Sequence, residues 1–337
     1  MAKRRLSQQQ RRRIQDLQEK RRKRAQKLTE QAIDEQSLGQ EQLGLVITHF
    51  GQTSLVEDEE GALHRCVARQ NLGAIVCGDR VVWQAAPSGD GVIIAVHPRR
   101  STLKKPGFGG KLKIMAANID QIVIVSALHP EPNAYLIDRY LVAAELLPAE
   151  PVILINKVDL LDEQNRPLLQ QLREEYQALG YTLIEASKHQ THGMDSLQTQ
   201  LRGKTSILVG LSGVGKSSLI KSLLPDLDIR IGALSEASGE GTHTTTASRL
   251  YHLPCGGALI DSPGVRDFGL WSSTADEILY GFRELRPFIG HCRFSNCQHQ
   301  NEPDCAIQNA LAEGFISPQR FEHYRRMVEE YAVNLAP

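Results

Sequence analysis

Apolar positions follow three different rhythms along the chain. Residues 1 to about 37 hold few of them, too few to build a core. From Gly44 to about Val96, short β-rich runs (LGLVITHF, LHRCVAR, DRVVWQ, GVIIAV) are separated by turn residues such as Glu60-Gly61 and Ser88-Gly89-Asp90. That spacing predicts a small barrel, for which an OB-fold is one candidate. Such barrels commonly bind nucleic acid through an exposed face and its loops, although an inert structural barrel has the same pattern. After Asn118, continuous Val/Ile strands (IDQIVIVSA, PVILINKVDLL, YTLIEAS, KTSILVGL, GGALID) alternate with amphipathic helical stretches (YLIDRYLVAAELL, RPLLQQLREEYQALG). This alternation predicts a parallel sheet covered on both faces.

At 337 residues the chain exceeds one ordinary hydrophobic core, so two or three domains are expected. The 39 basic and 39 acidic residues cancel overall, but Arg11 to Arg13 and Lys20 to Arg24 make the amino-terminal arm strongly basic. The arm reads either as a solubilising tail or as a nucleic-acid contact that gains affinity by releasing counterions. A connector carrying Arg99, Arg100, Lys104, Lys105, Lys111 and Lys113 either touches phosphate or stays solvated. The chain shows neither an apolar run of roughly eighteen residues nor a secretory leader pattern, so the expectation is a cytoplasmic monomer with no membrane partner.

Gly210-Leu211-Ser212-Gly213-Val214-Gly215-Lys216-Ser217 fits Gly-x-x-x-x-Gly-Lys-Ser between a strand pattern and a helix pattern that starts with Ser217 and Ser218. This is a P-loop: its glycines let backbone N–H groups curl round phosphate, Lys216 reaches the β and γ phosphates, and the Ser217 hydroxyl meets Mg²⁺. Asn156-Lys157-Val158-Asp159 ends another strand. A carboxylate at Asp159 accepts from N1–H and the exocyclic amine of guanine, which adenine lacks, so GTP is preferred. Ala186 and Ser187 close over the base with backbone amides. Asp261-Ser-Pro-Gly264 supplies Asp261 near Mg²⁺ and the Gly264 amide near the γ-phosphate. The Gly- and Thr-rich stretch from Gly239 to Thr246 suits a first switch, with Thr244 or Thr245 as a further Mg²⁺ ligand. The guanine motif precedes the P-loop, so the motif order is circularly permuted. Val265 stands where many GTPases place a water-positioning glutamine, which leaves His243 either as the hydrolytic substitute or as a loop residue that merely packs.

Cys292-x₄-Cys297-x-His299-x₅-Cys305 provides the ligand set of a closed, structural zinc site. Beyond it, Ser317-Pro318 starts a helix in which Phe321, Tyr324, Val328 and Tyr331 recur on what reads as a packing face.

With the permuted order, Gly-Thr-His-Thr-Thr-Thr, Asp-Ser-Pro-Gly-Val-Arg and the cysteine–histidine cluster together, the chain resembles the ribosome small-subunit-dependent GTPase A family. The resemblance implies a multidomain protein. Residues 1–37 are a basic arm, 38–100 an OB-fold barrel, 101–117 a connector, 118–270 a circularly permuted α/β GTPase domain, and 271–337 a mainly helical zinc domain. It further implies binding to the small ribosomal subunit and its rRNA late in maturation, with release on hydrolysis of GTP to GDP. By the same resemblance His243 is the hydrolytic residue and Cys292, Cys297, His299 and Cys305 hold zinc, while Thr242 occupies a position that is often basic in relatives. A GTP-driven timer is the leading expectation. An RNA-binding factor with GTP as a static ligand, and a translation-associated GTPase on mature ribosomes, are the alternatives.

Overall fold

The computed structural model describes residues 38–87, 89–106, 112–226, 248–262, 270 and 273–334, the last four of these without their side chains. The basic arm, Lys111, Thr242, His243, Thr244, Thr245 and Gly264 lie outside the described residues.

Five strands close the barrel: β1 (Glu41–Phe50), β2 (Thr53–Glu57), β3 (Leu63–Ala68), β4 (Arg80–Ala85) and β5 (Gly91–Val96). Strand β1 pairs with both β2 and β4, and β3 runs parallel to β5, giving the closed order β1-β2-β3-β5-β4 of an OB-fold. Strand β2 is absent from the runs picked out by sequence pattern, being only five residues long and set directly after the Gly51 turn. The alternation turns Val46, Val56, Val81 and Trp83 inward, with Cys66, Ile75 and Ile93 completing the core. Gly91 is required there: a Cβ would stand 2.6 Å from the Trp83 ring and 2.5 Å from Cys66 Sγ.

The connector is itself structured, as an antiparallel hairpin of β6 (Thr102–Pro106) and β7 (Leu112–Ala117). A parallel sheet follows in the order β10 (Thr182–Ala186), β9 (Glu150–Asn156), β8 (Gln121–Ala127), β11 (Thr205–Val209) and β13 (Ala258–Asp261). All seven residues of β8 are buried, the signature of a strand covered on both faces. Helices α1 (Ala134–Glu145), α2 (Arg166–Ala178), α3 (Asp195–Leu201) and α4 (Lys216–Leu223) belong to this layer. Asn133 caps α1, its side-chain oxygen accepting from the Leu136 N–H at 3.1 Å. The short strand β12 (Arg249–His252) runs antiparallel to β13 and meets β1 through the pair Thr48 and Arg249, so barrel and parallel sheet form one eleven-stranded sheet. The Thr48 hydroxyl donates to the Ser248 carbonyl at 2.9 Å beside that junction.

The carboxy-terminal region packs α5 (Ala275–Gly281), α6 (Ala306–Ala312) and α7 (Pro318–Asn334) round a core that includes Ile278, Phe282, Ile307, Phe321 and Tyr324. Thr274 and Glu277 form a capping box at the start of α5. Phe321 and Tyr324 are buried and Val328 packs against the same core, so these three positions form the packing face that their spacing predicted, while the Tyr331 side chain lies outside the described residues. Tyr135 and Val142 of α1 join the same core. A buried charge network reinforces this seam. Arg320 of α7, 2% exposed, donates to Asp138 of α1 and to Glu284, while Asp138 also accepts from the Tyr176 hydroxyl at 2.8 Å and meets His323 at 2.6 Å. Burial works against the Arg320 charge, but Asp138 and Glu284 outweigh it and raise its pKa.

Candidate functional site

The carboxyl ends of the parallel strands converge on one cleft, the usual ligand position for an open α/β sheet. Strand β9 ends at Asn156 and β10 at Ala186; β11 runs into Gly210, and β13 ends at Asp261. A cavity of about 400 Å³ opens there, lined by Lys157, Ser212, Gly213, Gly215, Lys216, Ser217, Ser218, Asp261 and Ser262 among others. The structure therefore brings the P-loop, the guanine-motif lysine and Asp261 together although they lie far apart in sequence.

The P-loop is held by its neighbours as much as by its own turns. Gly210, Gly213 and Gly215 have φ of 135°, 86° and 98°, which only glycine adopts without strain. A Cβ at Gly215 would lie 2.3 Å from Asn156 Nδ2, and that amide donates to the Val214 carbonyl at 2.8 Å. Asn156 is thus a buttress of the P-loop and is itself buried, as is Val214, while Leu211 is exposed. Lys157 crosses from the end of β9: its ammonium donates to the Gly213 carbonyl at 2.8 Å and the His129 carbonyl at 2.5 Å. Lys216 spans the loop mouth, donating to the carbonyls of Gly210 and Leu211.

At the base end, Val158 and Asp159 form a single 3₁₀ turn after Lys157, whose φ of 61° turns the chain sharply. The buried Ser187 hydroxyl donates to Asp159 Oδ1 and accepts from the His189 N–H. Sequence reasoning assigned Ser187 a backbone role. Its side chain also fixes the Asp159 carboxylate, which no spacing rule could show. The His129 carbonyl is likewise unmarked in sequence, because a backbone acceptor leaves no side-chain signature.

The four cluster residues meet in the carboxy-terminal region, their ligand atoms all within 4.8 Å of one another. His299 Nδ1 lies 3.5 Å from Cys292 Sγ and 3.4 Å from Cys305 Sγ, and the two sulfurs are 3.8 Å apart. A tetrahedral zinc ion with ordinary bond lengths requires S···S edges of about 3.8 Å and S···N edges of about 3.5 Å. The donor set and its edges therefore fit zinc. Burial lowers the His299 pKa, keeping the imidazole neutral as a ligand must be. Burial, and hydrogen bonding of its thiol to the neighbouring Cys305 and Cys292 sulfurs, push Cys297 up to about 12, so a cation would supply the charge that turns the thiols into thiolates. Gln308 donates to the His299 carbonyl at 2.6 Å, and His291 stands exposed beside the cluster.

A sequence profile described as RsgA GTPase matches residues 96–271. The protein of Hahella chejuensis named small ribosomal subunit biogenesis GTPase RsgA is 51% identical over 336 residues, covering 98% of this chain and 97% of that protein. The Azotobacter vinelandii protein of the same name is 52% identical, covering 97% and 98%. The crystal structure of YjeQ from Thermotoga maritima superposes with a TM-score of 0.72 at 34% identity, covering 86% of this chain and 98% of that one. YloQ, described as a circularly permuted GTPase, gives a TM-score of 0.71 at 26% identity, covering 88% and 97%.

Proposed function

The chain belongs to the RsgA GTPase family, and from that premise we propose that it hydrolyses GTP while bound to the maturing small ribosomal subunit and leaves that subunit after hydrolysis. The observation that carries this reading is the cavity in which P-loop, Lys157 and Asp261 meet. Its relatives' names supply the ribosomal context.

In this reading the guanine lies at the Asp159 and Ser187 end. Asp159 accepts from N1–H and the exocyclic amine, Lys157 lays its stem along the ring, and the Ala186 and Ser187 amides face the carbonyl edge. Backbone N–H groups from Gly213 to Ser218 surround the phosphates, with Lys216 neutralising the β and γ groups. Ser217 and Asp261, with Thr244 or Thr245, would hold Mg²⁺, which withdraws charge from the phosphate oxygens as the bond breaks. His243 accepts a hydrogen bond from the attacking water, and the Gly264 amide faces the γ-phosphate. As in GTPases that lack a supplied arginine finger, turnover is slow until the subunit positions His243. The four-ligand centre holds one structural zinc ion and performs no chemistry, having no open position. Barrel and zinc domain bind rRNA, and loss of γ-phosphate contacts weakens that grip.

The test is GTP turnover by the full chain alone, with small subunits, and with large subunits. Stimulation by small subunits only, abolished in His243→Ala while GTP binding persists, is expected. Equal turnover with and without subunits would leave GTP as a static ligand.

A further inference from the structure

A second cavity, of about 810 Å³, lies away from the nucleotide cleft, between the outer face of the barrel and the amino-terminal end of the parallel sheet. Strand register explains its chemistry. On β1, Leu45 is paired with Arg80 of β4 on one flank and with Glu57 of β2 on the other, so these three side chains share the barrel's outer face. Leu43, two residues earlier, lies on that face too and is 51% exposed. The cavity thus has an apolar floor of Leu43 and Leu45 between a cationic wall and an acidic wall. Arg80 makes no ion pair among the described residues, and Arg100 stands close by in the lining, its guanidinium exposed and held from outside by Asp120 at 2.9 Å. Opposite, Glu57 is bridged to His252 of β12 at 2.6 Å, and Glu59 continues the acidic wall.

A ligand matching this polarity has a flat apolar body, an anionic end and hydrogen-bond donors at the other end. We propose that this cavity takes an unstacked nucleotide of an RNA strand, with its base on Leu43 and Leu45, its phosphate at Arg80 and Arg100, and its imino or amino edge towards Glu57 and Glu59. The volume is near the upper end for small-molecule pockets, and the wide mouth lets a strand continue past the inserted base. Single-strand binders generally combine a cationic track with apolar platforms in this manner. The inference rests on the proposed action on ribosomal RNA, and it adds a specific point of contact on the barrel's junction face.

The test uses the full chain and a fluorescein-labelled oligouridylate of about eight nucleotides carrying one 4-thiouridine. Photocrosslinking is expected on peptides containing Leu43, Glu57 or Arg80. Arg80→Ala should weaken anisotropy-measured binding and reduce its salt slope by about 1, and Leu43→Asp, at an exposed position, should weaken binding by about tenfold. Both should bind a fluorescent GTP analogue like the parent. Parental affinity in both variants, or crosslinks confined to other surfaces, would overturn the proposal. Displacement by uridine monophosphate as effective per mole as by the oligomer would also overturn it, because the occupant would be a free nucleotide. Cosedimentation with small subunits separates the two readings. A parent that does not sediment with them removes the ribosomal function, whereas a parent that does, with probe binding unaffected by both substitutions, removes the cavity assignment alone.

Discussion

The proposed guanine selection at Asp159 depends on a carboxylate held by a neighbour. The Ser187 hydroxyl bonds one oxygen, leaving the carboxylate oriented before any base arrives. Hydrogen bonds to a charged group are worth roughly 1.5–3 kcal/mol each. Asp159→Asn turns one acceptor into a donor and removes the charge, so GTP affinity should fall by about ten- to a hundredfold, read by titration with a fluorescent GTP analogue; unchanged affinity would remove Asp159 from the base pocket. Gly215 makes a second residue-scale case. Its φ of 98° and the 2.3 Å approach of Asn156 Nδ2 leave no room for a methyl group. Gly215→Ala should cost at least about tenfold in nucleotide affinity with little change in global unfolding, because the strain falls on a loop rather than the core; equal GTP binding would show that the buttress yields freely. The P-loop and Asn156 to Asp159 were legible from sequence because each motif is contiguous and lies at a strand end. The Asn156 buttress and the His129 acceptor were not, since both depend on strands being neighbours in space.

Among elements, the seam between α1 and α7 carries a buried charge network. Asp138 and Arg320 are almost fully buried and lie 182 positions apart in sequence. Removing one partner of a buried pair leaves the other uncompensated, at a cost of about 3–5 kcal/mol. Arg320→Met should lower the denaturant midpoint accordingly, and adding Asp138→Leu should recover part of the loss, because Glu284 is then the only carboxylate of the network left without Arg320. If the double variant were as unstable as the sum of the two single changes, packing rather than charge would govern the seam. This network was invisible in sequence, where Arg320 reads as one more surface cation on a helix and Asp138 as a polar residue within an apolar run. The aromatic packing face of the same helix was visible, because its period is local. Strand β2 escaped notice for the opposite reason: five residues are too few for alternation to stand out, and only pairing on both sides reveals the strand.

For the whole molecule, the centre formed by Cys292, Cys297, His299 and Cys305 organises loops between α5 and α6 that have little regular structure of their own. About one zinc ion per chain is expected by elemental analysis. Its chelation should expose the segment from residue 289 to 305 to proteolysis while GTP binding in the distant cleft persists. Loss of GTP binding on chelation would show that the two sites share stability. No helix among the described residues is long and apolar enough to cross a membrane. The eleven-stranded sheet has a mechanical meaning beyond its topology. Thr48 in the barrel and Arg249 in β12 are backbone partners, and Ser248, whose carbonyl accepts from the Thr48 hydroxyl, lies two positions after Thr246, the last residue of the proposed first switch. The barrel therefore cannot tilt as a free pendulum. A load on its outer surface is passed as shear along hydrogen-bonded backbone into β12 and then β13, the strand that ends at Asp261 in the candidate cleft.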